Sequence, residues 1–250
     1  MPAISSERRV FRKKKATRWR RIVFTLLAVP SGLAILSISL TVVFRYISPP
    51  VTMLMIERRI ESWSSEGKYS PHYEWVSFEA MAPPMPLAVI ASEDQNFMHH
   101  HGFDWEAIQR AIDYDENGKR LRGGSTLTQQ TAKNLFLWHD RTWIRKGVEA
   151  YFTVLLETCW TKHRILETYL NIVEFGDGIY GVEAASQHYF HKPARRLTPE
   201  EAALLAAVLP NPHRFKANAP TSYVRGRQHW ILQQMGNLGQ QTADLLIRND

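Results

Sequence analysis

The sequence predicts an all-α, mainly helical domain behind a single N-terminal membrane helix. Residues 22–44 contain no charged side chain and are rich in Leu, Ile, Val, Phe and Ala. From Pro86 onward, apolar side chains recur at the spacing of amphipathic helices. No stretch of useful length alternates apolar and polar residues, which argues against a large sheet.

The first 21 residues form a strongly basic tail. They hold nine Lys or Arg and one acid, Glu7, for a net charge of +8, whereas all 250 residues together carry +7. Residues 22–250 therefore carry about −1, and the pI near 9.6 belongs to the tail. Alone, such a tail fits a solvated or nucleic-acid-binding arm. Because an apolar segment follows it, we expect no nucleic acid and a cytoplasmic N-terminus.

The apolar segment is long enough to cross a bilayer. Its 23 residues at 1.5 Å each span the ~30 Å of hydrocarbon, and Pro30 and Gly32 are tolerated in membrane helices. A cleaved signal peptide is the alternative, but its apolar region is usually ~7–15 residues long. We therefore predict an uncleaved anchor over residues 22–48, with the remaining chain across the membrane.

A connector over residues 49–85 contains scattered prolines and an amphipathic piece, Met53–Trp63. The globular domain follows over residues 86–250. Further helices are predicted there over Trp143–Trp160, over Lys162–Phe175, and from Pro199 to a stop before Pro210, followed by one or two final helices over Tyr223–Arg248. The first places Ile144, Val148, Tyr151 and Leu155 on one face, and the second does so with Ile165, Tyr169 and Ile172. The capping box of Thr198 and Glu201 starts the third.

Glu93 and Asp94 follow a largely apolar helix, Pro86–Ser92. A carboxylate there is partly desolvated, which raises its pKa and suits it to proton transfer. Three adjacent histidines, His99–His101, could suggest a metal, but neighbouring side chains point in different directions. We expect His100 instead to support the turn that presents Glu93. The single cysteine, Cys159, is expected to be a buried structural thiol.

The run from Asp113 to Gly118 matches the first six positions of a calcium-binding EF-hand loop. The twelfth position of that loop should be a bidentate Glu, and here it is Gly124. Residues 113–123 are therefore interpreted as a mobile polar loop.

An anion site is predicted at the next helix, Leu127–Leu137. Thr126 can cap it with Gln129, and free amides at a helix start favour anions. Cations that could converge on a diphosphate follow at Lys133, Arg141, Arg145 and Lys146. Glu149 lies four residues after Arg145 and three after Lys146, and these neighbouring cations should keep it ionised.

Together these segments resemble the glycosyltransferase domain of bacterial peptidoglycan polymerases, most closely the monofunctional transglycosylases. The resemblance covers roughly Leu87 to Pro212 in five ordered blocks. These blocks contain Glu93-Asp94-x-x-Phe97-x-x-His100-x-Gly102; Gly124-Ser125-Thr126-Leu127-Thr128-Gln129-Gln130; Arg145-Lys146-x-x-Glu149; Lys162-x-x-Ile165-Leu166-Glu167-x-Tyr169-Leu170-Asn171; and Glu201-Ala202-Ala203-Leu204-Leu205-Ala206. Thr153 departs from the pattern, which often has Ala there. The 38 residues after Pro212 cannot hold the transpeptidase domain of bifunctional members.

The resemblance implies a lysozyme-like fold and the inverting polymerisation of lipid II, with a growing glycan on undecaprenyl diphosphate as the donor. It implies that Glu93 is the general base and that Glu149 works at the diphosphate, by assisting departure or by binding Mg²⁺ or Mn²⁺. It assigns substrate binding to Asp94, Ser125, Thr126, Gln130, Lys133, Arg141, Arg145 and Lys146. It further implies the bacterial cytoplasmic (inner) membrane with a periplasmic catalytic domain, and it allows protein partners from cell-wall synthesis or division.

Two alternatives keep the fold. A lysozyme-like glycosidase also uses two carboxylates, but it needs no diphosphate-binding cations such as Lys133 and Lys146. A non-enzymatic scaffold for wall assembly would not need Glu93 and Glu149 intact.

Overall fold

The computed structural model describes residues 4–63, 70–109, 124–138, 140 and 142–248. The predicted loop over residues 113–123 and the predicted ligand Arg141 lie outside these residues. The chain divides into two compact units, Met1–Tyr46 and Ile47–Asp250.

The first unit is a single helix, α1, Ile4–Tyr46. It begins within the basic tail, and its stretch Phe24–Tyr46 is long and apolar enough to cross a membrane. Two polar side chains in this stretch bond to the helix backbone: Ser37 Oγ donates to Ala34 O at 2.8 Å, and Thr41 Oγ1 donates to Ser37 O at 2.9 Å. Such bonds satisfy hydroxyls that hydrocarbon cannot. The helix fits single-pass membrane anchoring.

The second unit is mainly helical, as predicted. Among the residues that the structure describes, its helices include α2 Met53–Trp63, α3 Pro84–Glu93, α4 Leu127–Phe136, α5 Trp143–Cys159, α6 Lys162–Ile172, α7 Val182–Phe190, α8 Pro199–Val208 and α9 Ser222–Arg248, with short 3₁₀ turns at Phe78–Ala80 and Ala194–Arg196. The last helix is broken at Gly239, whose φ is 64°.

The core forms around α3 and α8, which pack against each other and against α9. Both helices start with proline, whose fixed φ suits a first turn. Both are apolar nearly all round, as expected for buried helices. Met85 and Ile90 of α3 and Leu205 of α8 are fully buried. This central packing fixes the C-terminal end of α3, where Glu93 lies.

A second layer packs α4 against α5 and α6. The apolar face predicted for α6 is confirmed, because Ile165, Tyr169 and Ile172 are all fully buried. The face predicted for α5 is not the buried one. Instead, its buried side chains are Glu149, Thr153 and Leu156, and Ile144 is 78 % exposed. Cys159 at the end of α5 is only partly buried.

A small sheet was not predicted. Its strands are β1 His72–Tyr73, β2 Glu174–Gly176 and β3 Ile179–Tyr180, in the order β1–β3–β2. Strand β1 runs parallel to β3, pairing His72 with Ile179, and β2 runs antiparallel to it. Strands of two or three residues are too short to show a period of two.

Candidate active site

Glu93 ends α3 with its side chain 16 % exposed. Its Oε1 accepts hydrogen bonds from Ser92 Oγ and from Arg227 Nη2, both at 3.3 Å. Its Oε2 accepts one from Gln130 Nε2 at 3.1 Å. Burial raises the pKa of Glu93, and these donors offset that rise only in part. The structure thus provides a positioned carboxylate suited to accepting a proton.

The orientation of the Gln130 amide is fixed from behind. Tyr169 is fully buried on α6, and its hydroxyl donates to Gln130 Oε1 at 3.2 Å. The amide nitrogen must then face Glu93, where it donates. Gln130, which the resemblance assigns to substrate binding, therefore contacts the carboxylate of Glu93 in this structure.

Asp94 is directed into the protein. His100 Nε2 lies 2.9 Å from both of its carboxylate oxygens, and Leu127 N donates to Oδ2 at 2.9 Å. Gly102 N donates to His100 Nδ1 at 3.1 Å, so Nδ1 is the acceptor and Nε2 carries the proton given to Asp94. Asp94 thereby occupies part of the anion-binding start of α4. His100 supports this turn, as the sequence suggested.

Thr126 closes the same turn. Its hydroxyl donates to Gly102 O at 2.7 Å and accepts from Gln129 N at 3.2 Å, while Gln129 Oε1 accepts from Thr126 N at 3.0 Å. The predicted capping box is confirmed. Ser125, one residue earlier, is exposed.

Gly102 lets this turn pack directly on α5. Its φ is +87°, a conformation that favours glycine, and an added Cβ would lie 2.7 Å from Thr153 Cγ2. Thr153 is fully buried, and its hydroxyl donates to Glu149 O at 2.7 Å. The turn at Glu93 and the helix that carries Glu149 are thus in close contact.

Glu149 lies among cations on α5, with 3 % of the residue exposed. Its Oε2 pairs with Arg145 Nη1 at 2.6 Å, and its Oε1 pairs with Lys146 Nζ. Lys133 of α4 interacts electrostatically with this group and with Glu93. Burial lowers the pKa of Lys133, and the two carboxylates oppose that fall. Three cations against one carboxylate leave an excess of positive charge, which favours an anion.

A cavity of about 470 Å³ opens at Glu93. Of the predicted site residues, it is lined by Glu93, Asp94, Ser125 and Thr126. A separate group beside this cavity consists of Glu149 and the cations Lys133, Arg145 and Lys146. Because Lys133 interacts electrostatically with both Glu149 and Glu93, it links this group to the cavity. Trp230 of α9 forms part of the cavity wall.

Sequence reasoning missed Arg227, Trp230 and the support from Tyr169. Arg227 and Trp230 are three residues apart and so lie on one face of α9. The sequence did offer one sign: Arg227 is three residues after Val224 and four before Ile231, so a charged residue shares a helix face with two apolar ones. Both apolar side chains are fully buried. Only the three-dimensional packing shows that this face reaches Glu93.

The surroundings of Glu149 do not fit a divalent cation. Mg²⁺ and Mn²⁺ need several oxygen ligands, whereas both oxygens of Glu149 already face Arg145 and Lys146. Within the described ranges, the side chains that could jointly hold a metal are Glu174, Asp177 and His213, a set that does not include Glu149. Glu174 there is paired with Arg58 at 3.3 Å.

Comparison with known proteins extends the resemblance beyond both ends of the five blocks. A family model described as Transglycosylase matches residues 60–236. A biosynthetic peptidoglycan transglycosylase of Cronobacter sakazakii is 56 % identical over 223 residues, 89 % of this chain and 91 % of the relative. One of Citrobacter koseri is 60 % identical over 198 residues, 78 % and 82 % of the two chains. One of Mannheimia succiniciproducens is 56 % identical over 205 residues, 82 % and 84 % of the two chains. Because the family model spans residues 60–236 and these relatives are 56–60 % identical over most of the chain, the chain belongs to the transglycosylase family.

Proposed function

We propose that this protein is a peptidoglycan glycosyltransferase that polymerises glycan strands from lipid II. The observation that carries the mechanism is a largely buried carboxylate, Glu93, near a surplus of cations at Lys133, Arg145 and Lys146. A proton acceptor and a cationic site are the parts needed to join an acceptor hydroxyl to a sugar that carries a diphosphate. A glycosidase has no need for the second part.

Glu93 acts as the general base. As the 4-hydroxyl oxygen of lipid II bonds to the anomeric carbon of the growing glycan, the hydroxyl proton moves to Glu93. The bond from that carbon to the diphosphate oxygen breaks, and its electron pair leaves on undecaprenyl diphosphate. One displacement inverts the configuration and gives a β-1,4 linkage. The raised pKa of Glu93 brings its basicity closer to the operating pH.

Lys133, Arg145 and Lys146 stabilise the charge that develops on the diphosphate. Arg141 and the exposed Ser125 complete this binding set. Glu149 orients Arg145 and Lys146 through its two ion pairs and keeps the cationic group ordered before substrate arrives. We assign no step to a metal, because three cations already surround this carboxylate.

Asp94, Thr126 and Gln130 serve the site from within. Asp94 joins His100 to the start of α4, and Thr126 ties that start to Gly102. Gln130 holds Glu93 Oε2. These three residues fix where the base and Ser125 lie and do not bind the diphosphate themselves.

The helix α1 anchors the chain in the bacterial cytoplasmic membrane, with the basic N-terminus in the cytoplasm and the catalytic unit in the periplasm. A lipid-linked donor stays in the bilayer plane, so an anchored enzyme meets it there. A reporter active only in the periplasm, fused after Asp250, should be active. An inactive fusion would reverse the orientation.

The deciding experiment supplies the purified full-length protein with labelled lipid II and separates the products by length. Wild type should form long glycan strands, and Glu93→Gln should form none while still binding lipid II. Absence of polymer from the folded wild-type protein would refute the function. Loss of lipid II binding in Glu93→Gln would move Glu93 from the base role to a structural one.

A further inference from the structure

Arg227 is the one side chain of α9 that, within the described part of the chain, forms an ion pair with Glu93. Its Nη2 donates to Glu93 Oε1 at 3.3 Å and to Ser92 O at 3.4 Å. Its Nε is buried and has no hydrogen-bond partner among the residues described. The Arg227 side chain is only partly buried, at 23 % exposed, yet this one donor is shielded from solvent and unsatisfied, which is uncommon where stability alone sets the residue. The ion pair with Glu93 therefore points to a role for Arg227 other than stability.

The packing of α9 places Arg227 where it is. Val224 and Ile231 are fully buried, and Gln228 Nε2 donates to Glu200 O at 2.7 Å, which ties α9 to the start of α8. Because α9 packs on both α8 and α3, the residue before Gln228 is directed toward the end of α3. The position of the guanidinium is thus set by a core interface and not by a flexible surface contact.

We propose that Arg227 is a positioning residue for the catalytic base, holding Glu93 in the ionised form and in a fixed orientation until the acceptor hydroxyl gives up its proton. The assignment rests on the proposed role of Glu93. It makes the C-terminal helix part of the catalytic machinery, with Trp230 of the same face forming the adjacent cavity wall.

Arg227 and Gln130 contact opposite oxygens of the Glu93 carboxylate, and these two contacts together oppose its rotation. Arg227 also supplies positive charge against the desolvation that burial imposes. The charged and titratable groups that influence Glu93 come from four elements: Asp94 after α3, Lys133 on α4, Tyr169 on α6 and Arg227 on α9. Of the two cations, only Arg227 forms an ion pair with the carboxylate among the described residues.

The test compares the pH dependence of polymerisation by full-length Arg227→Gln, Arg227→Met and Arg227→Lys. A neutral residue at 227 should raise the pKa of Glu93, so less of the base is ionised at acidic pH. The acid limb of the kcat/KM profile should move to higher pH. The factor by which the variant's kcat/KM falls below that of wild type should be at least roughly five times larger at pH 6 than at pH 8.5. Arg227→Lys should restore much of the limb, because it keeps the charge.

Arg225→Gln is the matched control. Arg225 is exposed on the same helix, and its guanidinium bonds to Gln228 instead of Glu93. Its loss removes the same charge from α9, and the acid limb should stay where it is in wild type.

Several outcomes would overturn the assignment. A uniform loss of rate in the Arg227 variants, with an unmoved acid limb, would make the residue structural. Failure of both neutral variants to fold, judged by circular dichroism, would do the same. The role of Glu93 is tested separately: if Glu93→Gln polymerises normally, the proposed base is refuted, whereas an inactive Glu93→Gln beside unshifted Arg227 variants refutes only the inference about Arg227.

Discussion

At the scale of single residues, Glu93 combines a cost in stability with a use in catalysis. Its pKa is raised in the folded protein, chiefly by burial. The unfolded chain therefore releases this proton more readily than the folded one. The ionised side chain destabilises the fold once the pH rises above its unfolded pKa, and the effect is complete above its folded pKa. Active sites often hold such unfavourable groups.

Glu93→Gln should therefore raise the melting temperature at pH 8. The gain should shrink as the pH falls from the raised folded pKa toward the unfolded pKa of roughly 4.3, and it should vanish below that, where the carboxyl group is protonated in both states. Melting temperatures of the variant and of wild type, measured by thermal unfolding between the acidic pH and pH 8, check this prediction. Glu74→Gln removes an exposed carboxylate and should leave the melting temperature unchanged. A lower melting temperature for Glu93→Gln at pH 8 would mean that its bonds to Gln130 and Arg227 outweigh the cost of burial.

Glu149 should control the alkaline side of the activity profile. It raises the pKa of Lys133, while burial and the nearby cations lower it. Glu149→Gln should therefore lower the pKa of Lys133 and move the alkaline limb of polymerisation to lower pH. Disordering Arg145 and Lys146 should also cost about 10²–10³-fold in kcat, as for loss of a preorganised charge-stabilising contact.

Glu157→Gln provides the control for this experiment. It removes a carboxylate from the same helix, but Glu157 pairs with Lys162 at 2.8 Å. Its alkaline limb should match that of wild type. An unmoved limb in Glu149→Gln would show that Lys133 does not need its proton for polymerisation.

At the scale of elements, the contact between the turn at Gly102 and α5 joins the two halves of the site. Gly102→Ala should cost about 1–3 kcal/mol, because it combines an unfavourable φ with a clash against Thr153 Cγ2. The melting temperature should fall by roughly 2–12 °C, at about 2–4 °C per kcal/mol for a domain of this size. Gly124→Ala is the control, since an added Cβ there meets nothing within 4 Å.

A second substitution separates the two costs. Thr153→Ala removes the methyl group nearest to Gly102, and alanine is what the family resemblance suggests at this position. If part of the loss is steric, Gly102→Ala should be less damaging in the Thr153→Ala background than in wild type. Equal losses in both backgrounds would assign the whole effect to the backbone conformation.

The sequence predicted those elements whose signal is local. Met53–Trp63 and the start at Pro199 follow from periodicity and capping, and the structure has both. The buried face of α5 does not follow from its apolar residues. Several of them are exposed while Glu149 is buried, which is the reverse of the usual burial of apolar side chains and exposure of charged ones. Arg227 was missed because its contact with Glu93 spans 134 positions. Asp94 and Gln130 were placed in the site, but no sequence pattern shows that their side chains bond inward.

At the scale of the whole molecule, apolar surface is exposed in both units. In α1 it is the stretch Phe24–Tyr46. In the catalytic unit it is the face of α5 with Trp143, 91 % exposed, Ile144, and Val154. Exposed apolar side chains grouped on one helix commonly mark a surface that binds lipid or protein. Because the same helix carries Glu149 and the cations proposed to hold the lipid diphosphate, we expect this face to contact the bilayer.

The double variant Trp143→Ser/Ile144→Ser should thus separate stability from membrane function. Both side chains are largely exposed, so little burial is lost and the melting temperature should match that of wild type. Polymerisation of lipid II in phospholipid vesicles should fall at least roughly tenfold, since burying one such side chain in lipid is worth about 1.5–3 kcal/mol. In detergent micelles, where substrate access does not depend on docking to a bilayer, the loss should be much smaller. Equal rates for variant and wild type in vesicles would show that α1 alone brings the enzyme to its substrate.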